Sequence, residues 1–430
     1  MTIALMLVGM FVLALLNVPI AVSLAVVATA AIYLIQGAYN LPNLALVMND
    51  GASSFPLLAI PLFILAGAIM NASSISRRLI AFTSACFGFI RGGLSMVTIG
   101  ASMFFAEISG SAVAGVAALG TILIPAMRSR GYSREFAAAI SSSSASLAII
   151  IPPSIPMILY AVMAQTSVVK MFVAGILPGI VGAVGLATAA YIQAVRYDFP
   201  VEEKFQVTRV WQTLKEASWA FMLPVIILGG IFGGFVTATE GAGLAVAAAL
   251  FISIVIYREL NLKALRKACI DGAVQTAVVM LLVAASALIG TFLTEAQLPQ
   301  ALARSIAGFT KNPYVVLLLL NVFFLILGMF LHSAAAIILT VPIVIPLIHA
   351  FHIDPVHFGL ILTLNLAIGQ QTPPVASVLI ASCAIAKSDI WETTKVNLPF
   401  IAALVVVLLL CTYVPWISLA LVHVFYGSGG

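Results

Sequence analysis

Residues 92–127 read GGLSMVTIGASMFFAEISGSAVAGVAALGTILIPAM, and residues 314–348 read YVVLLLLNVFFLILGMFLHSAAAIILTVPIVIPLI. Both stretches are apolar, and both are interrupted midway by small or polar residues. The first breaks at Glu107-Ile-Ser-Gly-Ser111 and the second at Gly328-Met-Phe-Leu-His-Ser333. A single membrane span needs about 20 apolar residues. Each stretch is therefore long enough for two half-helices that enter and return from one side. Non-helical backbone at membrane depth survives only under cover of protein or beside a watery cavity. The two stretches accordingly predict re-entrant hairpins whose tips reach the membrane middle.

The rest of the chain supports lipid as its solvent. Hydrophobic residues make up 63% of the 430 and charged residues 8%, against about 25% charged in a soluble domain. Mean hydropathy is +1.20. The net charge of +5 is spread over short loops with no dense basic tract, which argues against a nucleic-acid partner. The N-terminus lacks a basic n-region, so the first apolar run reads as a retained span. The four cysteines, Cys86, Cys269, Cys383 and Cys411, show no metal spacing and read as apolar packers. Spans are expected near 2–16, 17–35, 55–72, 135–163, 168–196, 218–236, 240–257, 272–294, 357–384 and 398–422. Mixed segments at 73–90, 259–270 and 297–309 read as interfacial arms. Gly427-Ser-Gly-Gly430 reads as a cloning scar.

Sliding the chain against itself by 221 residues superimposes its landmarks. Pro125 falls on Pro346, Pro152-Pro153 on Pro373-Pro374, Pro178 on Pro399, and Ser111 on His332. The chain is a duplication. Each half has five crossings and one hairpin, and an odd number of crossings inverts one half relative to the other. The expected architecture is an all-α polytopic membrane protein of inverted repeats with two re-entrant helical hairpins, which is a transporter signature. Its parts are scaffold 1–72, arm 73–91, transport part 92–196, cytoplasmic linker 197–217, scaffold 218–294, arm 295–312 and transport part 313–426. With both termini periplasmic, sixteen of the nineteen Lys and Arg residues fall on the cytoplasmic side. Only Lys170, Arg304 and Lys311 fall outside, a strong positive-inside bias.

Proline has no N–H, so each pair frees the carbonyls four residues earlier in a helix. These belong to Ala148 and Ile149, and to Gly369 and Gln370. Serines 141–144 and Ser146 surround the first pair, and Asn365, Gln371 and Thr372 the second. Carbonyls with hydroxyls are hard oxygen ligands that suit Na⁺. The first ion site is assigned to Ser109, Gly110, Ser111, Ser144, Ser146 and Ala148. The second is assigned to Gly328, His332, Ser333, Asn365, Gly369 and Thr372. Substrate contact is assigned to Ser111, Ser154, Gln370, Gln371 and Ser377. Glu107, the one acid deep in an apolar stretch, is a candidate buried acid. The plainer reading is a pair of proline kinks with serines bonded back onto their own helix. The duplication, with each pair following a broken hairpin, favours function.

The stretches Ile108-Ser-Gly-Ser-Ala-Val-Ala114, Ile151-Pro-Pro-Ser-Ile-Pro156, Asn365-Leu-Ala-Ile-Gly369 and Thr372-Pro-Pro374 resemble the large membrane subunit of TRAP (tripartite ATP-independent periplasmic) transporters. The resemblance covers essentially the whole chain. It implies the ion-transporter-superfamily elevator fold in the bacterial inner membrane and Na⁺-driven import of an organic acid, with no cofactor beyond the coupling ion. It also implies two partners, a periplasmic substrate-binding protein and a small four-helix membrane subunit. Many dicarboxylate-type relatives carry an acid where this chain has His332. That tip and Gly369-Gln-Gln-Thr-Pro-Pro374 look closer to the sialic-acid branch, which points to N-acetylneuraminate.

The alternatives are a C4-dicarboxylate or other carboxylate TRAP transporter, a stand-alone Na⁺/dicarboxylate symporter, a channel, and an intramembrane hydrolase using Ser109 or Ser111 with His332. A hydrolase needs a base in reach and an oxyanion hole, and the duplication instead makes Ser111 and His332 equivalent positions on opposing tips. A channel has no need of two inverted hairpins. No GxxxxGK[ST] motif is present, so this chain does not hydrolyse ATP.

Overall fold

A computed structural model describes residues 9, 13, 16, 18–37, 39, 41–201 and 204–427, except the side chains of 35, 36, 107–109, 294, 298, 299, 302, 303 and 307. The expected span at 2–16 lies almost wholly outside the described residues, as do residues 428–430 of the terminal scar. Among the described residues the regular structure is all helix, joined by turns and loops, apart from one isolated bridge between Arg91 and Val201. Eight of its helices are long and apolar enough to cross a membrane, or nine if one bent pair is a single span. Lipid offers no hydrogen bonds, so helices that satisfy their own backbone are the form such a sequence takes. Large apolar side chains such as Val184, Ile192, Val225, Val278 and Val406 stay on the outer surface.

The shift of 221 is visible element by element. Gly93–Ser109 and Ala112–Ser129 correspond to Pro313–Phe330 and Ser333–Ala350. Arg134–Ser146 corresponds to Pro355–Gly369, and their caps are equivalent positions. Ser133 accepts from Phe136 N, and Asp354 accepts from Val356 N and His357 N. Both proline pairs contain a cis peptide bond. The short helices Ile155–Met163 and Ser377–Ala386 follow them, then Val168–Arg196 and Ile390–Tyr413.

Three segments differ from expectation. The arm at 259–270 and the span at 272–294 form one continuous helix, Leu262–Glu295. Its first-half counterpart is Leu41–Ala52 and Phe55–Asn71, bent by 63°. Proline explains the difference. Pro56 sits in the turn at Phe55–Leu58 and cannot donate to the preceding helix, whereas the equivalent position in the second half is Ala277. The span at 398–422 breaks at Val414, because Pro415 starts a new helix, Pro415–Tyr426. The linker 197–217 is shorter than expected, since helix Val207–Phe232 begins inside it.

The first linker residues are clamped to the base of the first hairpin. Asp198 pairs with Arg91, and Gly92 N donates to Pro200 O at 3.2 Å. Phe199 lies between Tyr132 and Phe136, with centroids 4.3 and 4.7 Å away.

The first arm, Ile75–Phe87, packs between Val207–Phe232 and the first hairpin. It is pinned at its start by Arg78, which bonds Glu259 at 3.1 Å and lies 4.0 Å over the Tyr257 ring. A hydrogen bond from Ser74, with that ion pair, holds the Glu259 carboxyl below its usual range.

The halves are interleaved. Ser377–Ala386 of the second half packs on Arg134–Ser146 and on the return arm of the first hairpin. Ile155–Met163 of the first half packs on Ser333–Ala350, the return arm of the second hairpin. Tyr160 fixes that second contact. Its ring fills the space a Cβ at Gly359 would take, and its hydroxyl donates to Pro355 O at 2.6 Å. Tyr160→Phe removes this second bond to a carbonyl that also serves its own helix, and is expected to lower stability by about 1 kcal/mol. A thermal melt of the purified protein checks this, and an unchanged midpoint would show that the bond contributes nothing.

Candidate functional site: two hairpin tips on two proline loops

Each hairpin tip docks on the proline loop of its own half. In the first half, Gly110 takes φ +56° to end its helix, a conformation that costs glycine little. Ser111 is extended and caps the return arm. A Cβ at Gly110 would stand 3.1 Å from Pro153 O and 3.2 Å from Ile155 N, and one at Gly115 would lie 3.6 Å from Ala145. The tip at Gly110 thus rests on the proline loop, and the start of the return arm packs on the segment holding Ser144, Ser146 and Ala148. Ser144 Oγ is fully buried with no hydrogen-bond partner. Ser146 Oγ donates to Ser142 O at 3.0 Å, and Ala148 lies in the buried turn Leu147–Ile149. The side chains of Glu107 and Ser109 lie outside the described residues.

The second half is tighter. A Cβ on Gly369 would fall 2.6 Å from Gly328 Cα, and Met329 O accepts from Val375 N and Ala376 N at 3.2 and 3.4 Å. Asn365 Nδ2 donates to Asn321 Oδ1 at 2.7 Å and to Ile361 O at 2.8 Å, leaving Asn365 Oδ1 buried and unpartnered. Thr372 Oγ1 donates to Ile368 O at 2.9 Å. His332 caps the return arm through its backbone, its carbonyl accepting from Ala336 N at 3.0 Å, and its side chain is exposed. Ser333 is buried.

The expectation of freed carbonyls is corrected at three of the four positions. Ile149 O accepts from Ser154 Oγ at 2.7 Å, Gly369 O from Thr372 N at 2.9 Å, and Gln370 O from Val378 N at 3.0 Å. The chain reverses tightly after each helix and supplies its own donors. A carbonyl has two lone pairs, so each of these oxygens keeps one acceptor position.

Of the substrate candidates, Ser111 and Ser377 are partly accessible, while Ser154, Gln370 and Gln371 are buried. Ser377 Oγ donates weakly to Gln370 Oε1 at 3.4 Å. Gln371 turns inward, toward Ser143 and Asn397. The two loops differ in access. Residues 150–155 are all buried, whereas Pro374, Val375 and His332 are exposed.

Among the described residues, no group of three His, Cys, Asp or Glu could hold a metal ion. Among the described side chains and backbone at both tips, the oxygens are neutral hydroxyls, amides and carbonyls, a donor set that suits a hard cation. Sequence reasoning missed Asn321 and Asn397, each an amide within an apolar helix. Their isolation in such helices was the available signal.

Residues 7–417 match the family described as tripartite ATP-independent periplasmic transporter, DctM component. The isethionate TRAP transporter permease protein DctMQ of Oleidesulfovibrio alaskensis is 39% identical over 94% of this chain, which spans 64% of that protein's length. The C4-dicarboxylate TRAP transporter large permease protein DctM of Pseudomonas aeruginosa is 37% identical over 88% of this chain and 89% of its own. The sialic acid TRAP transporter large permease protein SiaM of Vibrio cholerae is 35% identical over 96% of both. In fold, the chain resembles the YdaH transporter of Alcanivorax borkumensis, whose crystal structure is described as revealing an unusual topology. That likeness has a TM-score of 0.63 and 16% identity, covering 90% of both chains.

Proposed function

This chain belongs to the DctM component family of tripartite ATP-independent periplasmic transporters, and on that premise we propose that it is the membrane engine of a Na⁺-coupled importer of an organic-acid anion. A periplasmic binding protein delivers the substrate, and a small four-helix membrane subunit braces the scaffold. The observation that carries this reading is the pair of hairpin tips seated on two proline loops, with neutral oxygens gathered at each. Such oxygens attract a cation through their dipoles while carrying no charge of their own. A bound cation at each tip then offers charge to an anion placed between them. The half-helices that start at Ala112 and Ser333 add free N–H groups, which favour a carboxylate.

The identities of 39%, 37% and 35% to the isethionate, C4-dicarboxylate and sialic-acid relatives lie too close together to choose a substrate. N-acetylneuraminate, suggested by the tip with His332, stands beside a C4-dicarboxylate and isethionate as anions to be tried. The two hairpins with residues 135–196 and 357–422 are read as one body that slides while 2–35 and 218–257 stay fixed.

Uptake of the three radiolabelled anions into liposomes holding this chain, its small subunit and its binding protein tests the proposal. Uptake of one of them, driven by a Na⁺ gradient, is expected. Uptake indifferent to Na⁺ would overturn the coupling.

The inner-membrane orientation is tested separately. Phe205, exposed after the linker clamp, is expected on the cytoplasmic side. In a background free of native cysteines, Phe205→Cys should react with an impermeant maleimide only after the cells are opened. Labelling of intact cells would reverse the topology.

A further inference from the structure

Ser143, Gln371 and Asn397 meet in the interior where the halves interleave, and all three are 0% exposed. Ser143 Oγ stands 2.5 Å from Gln371 Oε1 and 2.7 Å from Asn397 Oδ1. Asn397 Nδ2 donates to Gln371 Oε1 at 3.2 Å and reaches the Gln371 backbone oxygen at 3.5 Å. A serine hydroxyl carries one proton and donates to one oxygen at a time. Gln371 Nε2 meanwhile has no partner. The cluster therefore has more than one way to distribute its hydrogen bonds, and turning either amide passes it from one to another.

Position gives this cluster its meaning. Ser143 adjoins Ser144 of the first candidate ion site, and Gln371 adjoins Thr372 of the second. Asn397 sits on Ile390–Tyr413, which packs on both broken helices. The positions equivalent to Ser143, Gln371 and Asn397 in the other half are Leu364, Ile150 and Ile176. The cluster is thus single while the ion sites are paired. A ligand set belonging to each half would be duplicated, whereas a joint between halves need occur only once.

We propose that Ser143 and Asn397 are positioning residues that make the two ion sites fill cooperatively. Occupying the second site moves the Gln371 peptide. Asn397 and Ser143 follow it, and the first broken helix settles into its ion-binding position. The inference rests on the Na⁺-coupled reading above.

Two Na⁺ titrations test it: thermal stabilisation of the purified protein, and uptake by the reconstituted complex. The parent is expected to show a Hill coefficient of about 2, and Ser143→Ala and Asn397→Leu one of about 1. Saturating uptake should stay within about threefold of the parent, and the double variant should add nothing, as expected for residues of one network. Ser143→Thr, which keeps the hydroxyl, should restore the parent's curve. A parent-like Hill coefficient in both single variants would overturn the coupling and leave the ion sites standing. A parent with no Na⁺ response in either assay would bring down the ion reading and this inference together. A variant that folds without transporting is still read in the thermal titration. Loss of folded protein in both single variants, with Ser143→Thr intact, would reduce the cluster to packing and overturn the proposal.

Discussion

Gly369→Ala is expected to lower uptake by about 10-fold or more and to abolish the Na⁺-dependent part of thermal stabilisation. The added Cβ would fall 2.6 Å from both the Cα and the carbonyl carbon of Gly328. These are backbone atoms, so no side-chain rotation relieves the contact, and the hairpin must lift off the loop. Lifting it breaks the hydrogen bonds from Val375 N and Ala376 N to Met329 O, which close the second tip. Glycine at this position is thus a condition for bringing hairpin and loop into backbone contact. The measurement is a Na⁺ titration of melting temperature alongside uptake at saturating Na⁺. If Gly369→Ala took up substrate normally with the parent's Na⁺ dependence, the second ion site would not lie at this contact.

Locking the first arm to the first hairpin is expected to bring transport below about a tenth of normal, because the moving body can no longer turn about the arm. A Cβ on Gly100 would stand 3.5 Å from Thr83 Cγ2, which places the Cβ atoms of Thr83→Cys and Gly100→Cys near disulfide range. The nearby Phe87 ring, 3.1 Å from that Cβ, gives by a small rotation. In a cysteine-free background, oxidation should stop uptake and reduction should restore it. Na⁺-dependent thermal stabilisation should persist, since neither residue touches the ion sites. Full transport by the cross-linked protein would refute the arm as a hinge and, with it, the sliding body.

Periodicity made most of the architecture readable. The shift of 221 locates both hairpins, both proline loops and the helices after them, because proline and glycine act through backbone geometry that survives duplication. Local breaks were harder to read. Pro415 was visible, yet the span 398–422 was expected to pass through it. The bend at Pro56 and the straight run through Ala277 become clear only when the two halves are compared residue by residue. The start of Val207–Phe232 was hidden by charge. Residues 207–217 mix Arg209, Lys215 and Glu216 with apolar side chains, and a helix end that emerges from lipid tolerates such a mixture.

At the candidate site, the sequence by itself marked the polar and broken segments: two tips, two proline loops, and the serines, asparagines and amides around them. It did so because polar residues and helix breakers are costly in lipid and so stand out against 63% hydrophobic composition. The partners of each group were decided only by tertiary structure. Gly328 and Gly369 are 41 positions apart and touch. Tyr160 needs Gly359, and Ser143 finds Gln371 and Asn397 across the repeat boundary. Gln371, legible as a polar residue beside a proline loop, turned inward once Asn397 was folded against it. Hydrogen bonds and close contacts are set by distances of a few ångströms between segments far apart in the chain. Local pattern carries no information about them until the two halves interleave.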